Sequence, residues 1–143
     1  MKIVQRITAL LMSLFLYACS SSSQTQIDGP ALEGYCVVCY HSANKAVKGS
    51  SEFTSEYQGK SYYFVSQKAQ NTFESEPEKY LPQYDGWCAY GMTYGKKVGV
   101  DPTVFSIVDE KLYLNKSKTI GNKFDKNTAK YITKADVKWR KFR

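Results

Sequence analysis

The chain has 143 residues, 43% hydrophobic and 15% aromatic, which is enough for one compact domain and too few for two independent ones of ordinary size. Twenty Lys and Arg against thirteen Asp and Glu give a net charge of +7. This balance excludes collagen-like, fibrous and wholly disordered classes, and a single apolar run, Ile7 to Ala18, excludes a multi-pass membrane protein.

In chain order, the first feature is that run itself. Lys2 and Arg6 precede it and Leu16-Tyr17-Ala18-Cys19 closes it, the pattern of a signal peptide over residues 1–18. The small-residue-then-Cys junction resembles the lipobox of bacterial lipoproteins. That resemblance implies a mature chain beginning at Cys19, acylated with palmitate-type chains and anchored in the cell envelope, facing the periplasm or the exterior. Residues 19–32, with Ser20-Ser21-Ser22-Ser23, then read as a flexible tether. Loss of Lys2 and Arg6 leaves eighteen cations against thirteen acids, or +5. Residues 19–88 hold five Lys and eight acids, net −3. Residues 89–143 hold thirteen Lys and Arg and five acids, net +8. In an exported protein such a basic segment is a solvated face drawn to anionic lipid or cell-wall polymer, and nucleic acid is not an expected partner.

No internal repeat is visible, and residues 33–143 read as one α+β domain. Tyr35 to Tyr40, with its Val-Val pair, suggests a strand. Phe53–Tyr57 and Ser61–Val65 flank Gln58-Gly59-Lys60 and predict a β-hairpin. Ser66 stands as an N-cap before a helix carrying Ala69 and Phe73 on one face, and Pro77 ends that run and starts a short turn through Tyr80. Gly86 to Gly95 predicts a short buried helix. Asp101-Pro102 marks a turn, and Val104–Val108 and Lys111–Leu114 predict a second hairpin about Asp109-Glu110. Phe124, Thr128, Tyr131, Ile132, Ala135 and Trp139 recur at helical spacing, giving one amphipathic C-terminal helix with a basic outer side.

The succession Tyr57-Gln58-Gly59-Lys60-Ser61-Tyr62-Tyr63-Phe64, then Phe73, then Pro77-Glu78-Lys79-Tyr80-Leu81, resembles the YHS domain, in its exported bacterial branch. The resemblance implies a small α+β module of β-hairpins and short packed helices, with a role in soft-metal handling and no catalysis. Metal-type relatives place one Cys before the hairpin and a Cys pair after the Tyr-Tyr-Phe strand. Here Cys39 stands at the first position, and Val65 and Ala69 at the others.

Other donors are Cys36, His41 and Cys88. With Cys39 they form a candidate site for copper or zinc, since soft thiolates and imidazole select such ions. Cys36-Val37-Val38-Cys39 also has redox-pair spacing, although thioredoxin-like chemistry wants the first Cys at a helix N-terminus and the Val-Val run predicts strand. In an oxidising compartment the same residues permit a structural disulfide, Cys39–Cys88 or Cys36–Cys88, within a metal-free module that meets an envelope partner. One His, no Ser/His/Asp set and no phosphate-cradling loop leave no motif for an enzyme.

Overall fold

The computed structural model describes residues 29–143. The expected leader, Cys19 and most of the tether lie outside the described residues. Among the described residues no helix is long and apolar enough to cross a membrane.

The chain begins with a turn at Ala31–Gly34 in which Leu32, Glu33 and Gly34 all take positive φ (52°, 53° and 80°). Only Gly adopts this region without steric cost, so Gly34 closes the turn. Helix α1 (Val37–Ser42) follows, with Cys36 at its N-cap position, then strands β1 (Ser50–Tyr57) and β2 (Lys60–Phe64) in an antiparallel hairpin. Helix α2 (Gln67–Ser75) starts at Ser66, whose side chain accepts from the Ala69 N–H, and α3 (Pro77–Tyr80) has Pro at its first position. The expected strand at Tyr35–Tyr40 is thus corrected to a helix. Val37, Val38, Cys39 and Tyr40 are all buried, and packing on four neighbouring side chains outweighs the modest strand preference of two Val residues.

The sequence of elements then recurs. A second turn, Gln83–Gly86, repeats the left-handed trio at Tyr84, Asp85 and Gly86 (56°, 56° and 83°). It leads into α4 (Ala89–Met92), capped by Cys88, strands β3 (Asp101–Val108) and β4 (Lys111–Asn115), α5 (Lys118–Asp125) capped by Ser117, and α6 (Thr128–Trp139). From the hairpins onward each residue n of the first half matches n+51 of the second, as Ser50 matches Asp101. Both hairpins break register at the same place, after Ser50 and after Asp101, and both turn through two positive-φ residues, Gln58-Gly59 and Asp109-Glu110. Ser66 and Ser117 cap the same helix, and Phe73 and Phe124 are its fully buried aromatics. The two halves are one supersecondary unit used twice in tandem, which corrects the expectation of no repeat.

Two smaller corrections follow. Asp101-Pro102 lies within β3, at its register break, where a missing N–H is tolerated. The single C-terminal helix is two, because the Asn127 side chain accepts from the Lys130 N–H and starts α6 afresh, leaving Phe124 on α5.

Each half has its own core. Cys36, Val37, Cys39, Tyr62, Phe64, Ala69, Phe73 and Tyr80 form the first, and Tyr84, Ala89, Met92, Tyr113, Phe124 and Ala135 the second. A third cluster makes the seam: Tyr40 of α1 meets Leu112 and Leu114 of β4, with Phe105 and Ile107 of β3 beside them. The Tyr40 hydroxyl donates to the Pro102 carbonyl at 2.8 Å, and Pro82 bridges to Leu112. The helical side of the first half therefore sits on the sheet of the second, making one domain. In the second half Met92 holds the place of Tyr40, and α6 covers it.

Candidate functional site

The candidate donors fall in three places. Cys36 stands at the N-cap position of α1 without a side-chain capping bond and is fully buried; Cys39, one turn on, is 7% exposed. The α1 turn brings the two side chains within hydrogen-bonding reach. Burial, then the hydrogen bond and charge of Cys36, push the Cys39 thiol up to about 12, so the Cys39 sulfur is held protonated at neutral pH in the absence of a ligand. The CxxC is at a helix start, as a redox pair requires, yet burial disfavours the thiolate of its second member, Cys39.

His41 points instead toward the seam. It lines a cleft of about 270 Å³ with Ser42, Lys79, Tyr80, Ile107 and Glu110, and its ring meets Tyr80 edge-on at 5.3 Å. Burial first, and Lys79 second, lower its pKa, against an opposing hydrogen bond that the ring donates to the Tyr80 backbone carbonyl. Its Nε2 is one of two buried side-chain nitrogens without a partner among the described residues.

Cys88 lies in the second half. Its Sγ accepts from the Gly91 N–H at 3.4 Å and sits 3.6 Å from Asn115 Oδ1, which also accepts from the Tyr90 N–H. Asn115 is fully buried, and its Nδ2 is the other unpartnered nitrogen. The equivalent residue of the first half is Phe64, so the second core carries a polar patch that the first lacks.

Two expectations are corrected here. Cys36, Cys39 and Cys88 are all free thiols, so neither Cys39–Cys88 nor Cys36–Cys88 is bridged. Cys88 is engaged at the start of α4 in one core while the other two thiols face the other core. Nor do Cys36, Cys39, His41 and Cys88 form one site: among the described residues no three His, Cys, Asp or Glu side chains converge to hold an ion. What remains together is the Cys36–Cys39 pair. Sequence reasoning missed the link between Asn115 and Cys88, for which β-strand patterning gave no signal.

The motif residues collect around the dithiol. Tyr62, Phe64, Phe73 and Tyr80 are buried with it. Tyr63 packs over Gly34, Gly59 takes the turn at φ 74°, Pro77 starts α3, and the Tyr57 hydroxyl donates to Glu78 at 2.5 Å. Of the two positions where metal-type relatives carry their later Cys pair, Ala69 is buried in the same cluster as Cys39, whereas Val65 is exposed.

Residues 38–84 match the family model of the YHS domain. The match ends inside the second left-handed turn, so it spans most of the first half and none of the second beyond that turn. No curated protein and no solved structure matches the chain.

Proposed function

We propose, with the YHS domain of residues 38–84 as the premise, that this is a non-enzymatic soft-metal-handling protein whose working group is the Cys36–Cys39 dithiol. The observation that carries this reading is the placement of two unbridged thiols one helical turn apart in the core of the first half, Cys39 within the matched residues and Cys36 just before them. Cu(I) accepts two sulfurs in a near-linear arrangement, whereas Zn(II) wants four donors and no such set converges among the described residues, so Cu(I) is the preferred ion. Where relatives draw further sulfur from the positions of Val65 and Ala69, Cys36 supplies it from the helix cap. Metal must displace the thiol protons, and with Cys39 raised to about 12 affinity should climb with pH.

The sequence around Cys19 supports the location: a lipid-anchored protein of the bacterial envelope, facing the periplasm or the exterior, with the membrane as its first partner. An intact mass starting at Cys19 and carrying acyl chains tests that part separately.

Titrating the reduced chain with Cu(I) against a chromophoric chelator tests the site. One equivalent should bind, and Cys36→Ser or Cys39→Ser should abolish binding while Cys88→Ser leaves it intact. Binding that survives the Cys36→Ser/Cys39→Ser double change would overturn the assignment. Absence of binding to the unaltered chain would favour a second reading, a metal-free envelope interaction module, which the burial of both thiols supports.

A further inference from the structure

The tandem arrangement provides an internal control on the basic C-terminal segment. Residues 66–81 and 117–132 follow the same path, from Ser N-cap through buried Phe to Tyr, yet their charges are opposite. The first stretch has two Lys against three Glu, net −1. The second has four Lys against one Asp, net +3, and residues 133–143 add five cations against one acid. The fold is thus compatible with either sign, and the lysines are not there to build it.

Nor are they paired. Among the described residues the one ion pair is Lys60–Asp85, which joins the first hairpin to the second left-handed turn. The two acids of α5 and α6 are exposed but engaged by hydroxyls, Asp125 accepting from Ser106 Oγ at 2.6 Å and Asp136 from the Tyr84 hydroxyl at 2.8 Å. On the outer side of α6, Lys130, Lys134 and Val137 fall at i, i+4 and i+7, one exposed stripe, and the exposed Lys141 follows in the 3-10 turn Arg140–Phe142. Val137 is 52% exposed. Tyr94 (64%) and Phe142 (42%) are exposed too, Tyr94 next to Gly95, which packs on Lys138, and Phe142 under the Lys97 ammonium at 4.8 Å. With the inner side of α6 closing the second core, this outer side is exposed and has no partner among the described residues.

We propose that the outer face of α6, with Tyr94 and Phe142 on its flanks, docks on an anionic lipid bilayer. Long lysine stems let ammonium groups reach headgroup phosphates while an aliphatic and two aromatic side chains enter the interfacial region, the combination that favours a membrane plane. Arginine forks pair carboxylates in a fixed two-pronged geometry, whereas the charges of this stripe are lysine ammonium groups on flexible stems, which suit a fluid headgroup layer better than an acidic protein. Docking here would orient the protein on its membrane with α6 down and the first half outward.

The test uses the chain from residue 19 onward with Cys19→Ser, so that no acyl chain contributes, and vesicles of phosphatidylcholine with and without phosphatidylglycerol. Sedimentation with the anionic vesicles alone is expected, weakening about tenfold or more between low and high salt as headgroup charge is screened. Lys130→Ser/Lys134→Ser/Lys141→Ser should reduce binding by about tenfold or more. Val137→Ser should reduce it by a few-fold with the same salt slope. Lys45→Ser/Lys68→Ser, a charge change in the first half, should have little effect. Circular dichroism confirms that the variants fold, which the exposure of the stripe favours. Equal binding to neutral vesicles, absence of binding, or a triple variant that binds as the parent does would each overturn the proposal.

Discussion

The two halves share a backbone plan and divide its uses. The first keeps the dithiol, the acidic helix surface and the residues matched by the family model. The second keeps only Cys88 of the thiols, places Gly91 where Cys39 stands and Thr93 where His41 stands, and extends the four-residue α3 into the twelve-residue α6. What both retain is informative: the left-handed turn ending in Gly, the Cys at the N-cap position, the Ser cap and the buried Phe. These are the positions where backbone geometry or core volume leaves few alternatives. Chemistry and surface charge were free to differ.

Several measurements can break or sharpen this pairing. The largest effect is expected at the matched aromatics. Phe73→Ala and Phe124→Ala should each cost about 3–5 kcal/mol in urea unfolding, since each is fully buried in its own core. A shared seam predicts one cooperative transition in each variant; a biphasic curve would show that the halves unfold separately.

Next comes the seam itself. Leu112→Ala should cost about 2–5 kcal/mol and is the change most able to split that single transition, because Leu112 contacts Tyr40 across the halves. The Ser caps should give a smaller and matched loss. Ser66→Ala and Ser117→Ala each remove one N–H acceptor, and each should cost about 1 kcal/mol. A large difference between them would mean that the two helices do not contribute alike.

Dependence on pH comes last, and two of its groups, His41 and Cys39, belong to the first half. The folded protein keeps His41 neutral by burial, with Lys79 adding repulsion and Glu110 opposing it. The unfolded chain therefore takes up a proton first as pH falls below about 6.5, and stability present above that value is lost on acidification. His41→Phe should flatten this slope. On the alkaline side, Cys39 is raised from 9.0 to about 12, so the folded state holds its proton longer than the unfolded one. Stability should then decline as pH rises above 9; Cys39→Ser should remove the part of the decline that begins near 9, while Tyr40, Tyr62, Tyr84 and Tyr113, whose hydroxyls burial also raises, carry the part above 10.

Much of the first half was legible in the sequence because its signals are local: a Gly turn between aromatic strands, a Ser before an amphipathic run, a Pro at a helix start. The fold class and both hairpins followed from these. The repeat did not, because the spacing changes from 52 residues at Cys36 and Cys88 to 51 at the hairpins, and the few shared residues, such as Phe73 and Phe124, are separated by unlike side chains. Helix α1 was hidden by two β-branched residues whose environment is set by elements far along the chain. The candidate site was legible as a list of donors but not as a place. Spacing alone could not show that Cys36 and Cys39 share a turn, that His41 faces the seam, and that Cys88 belongs to the other core.

The contact between the halves is head to tail: helices of one unit rest on the sheet of the next. An interface of this kind has no intrinsic end and, repeated, would build an open filament. The sheet positions that form it in the second half, Phe105, Ile107, Leu112 and Leu114, are matched in the first by Thr54, Glu56, Ser61 and Tyr63, with the Ser61 hydroxyl donating to Glu56 across the strands. That sheet offers a polar face to any helix approaching it. At the opposite end α6 occupies the helical surface on which a further sheet would rest. Both termini of the stack are thereby closed, and a geometry suited to polymerisation stops at two units within one chain.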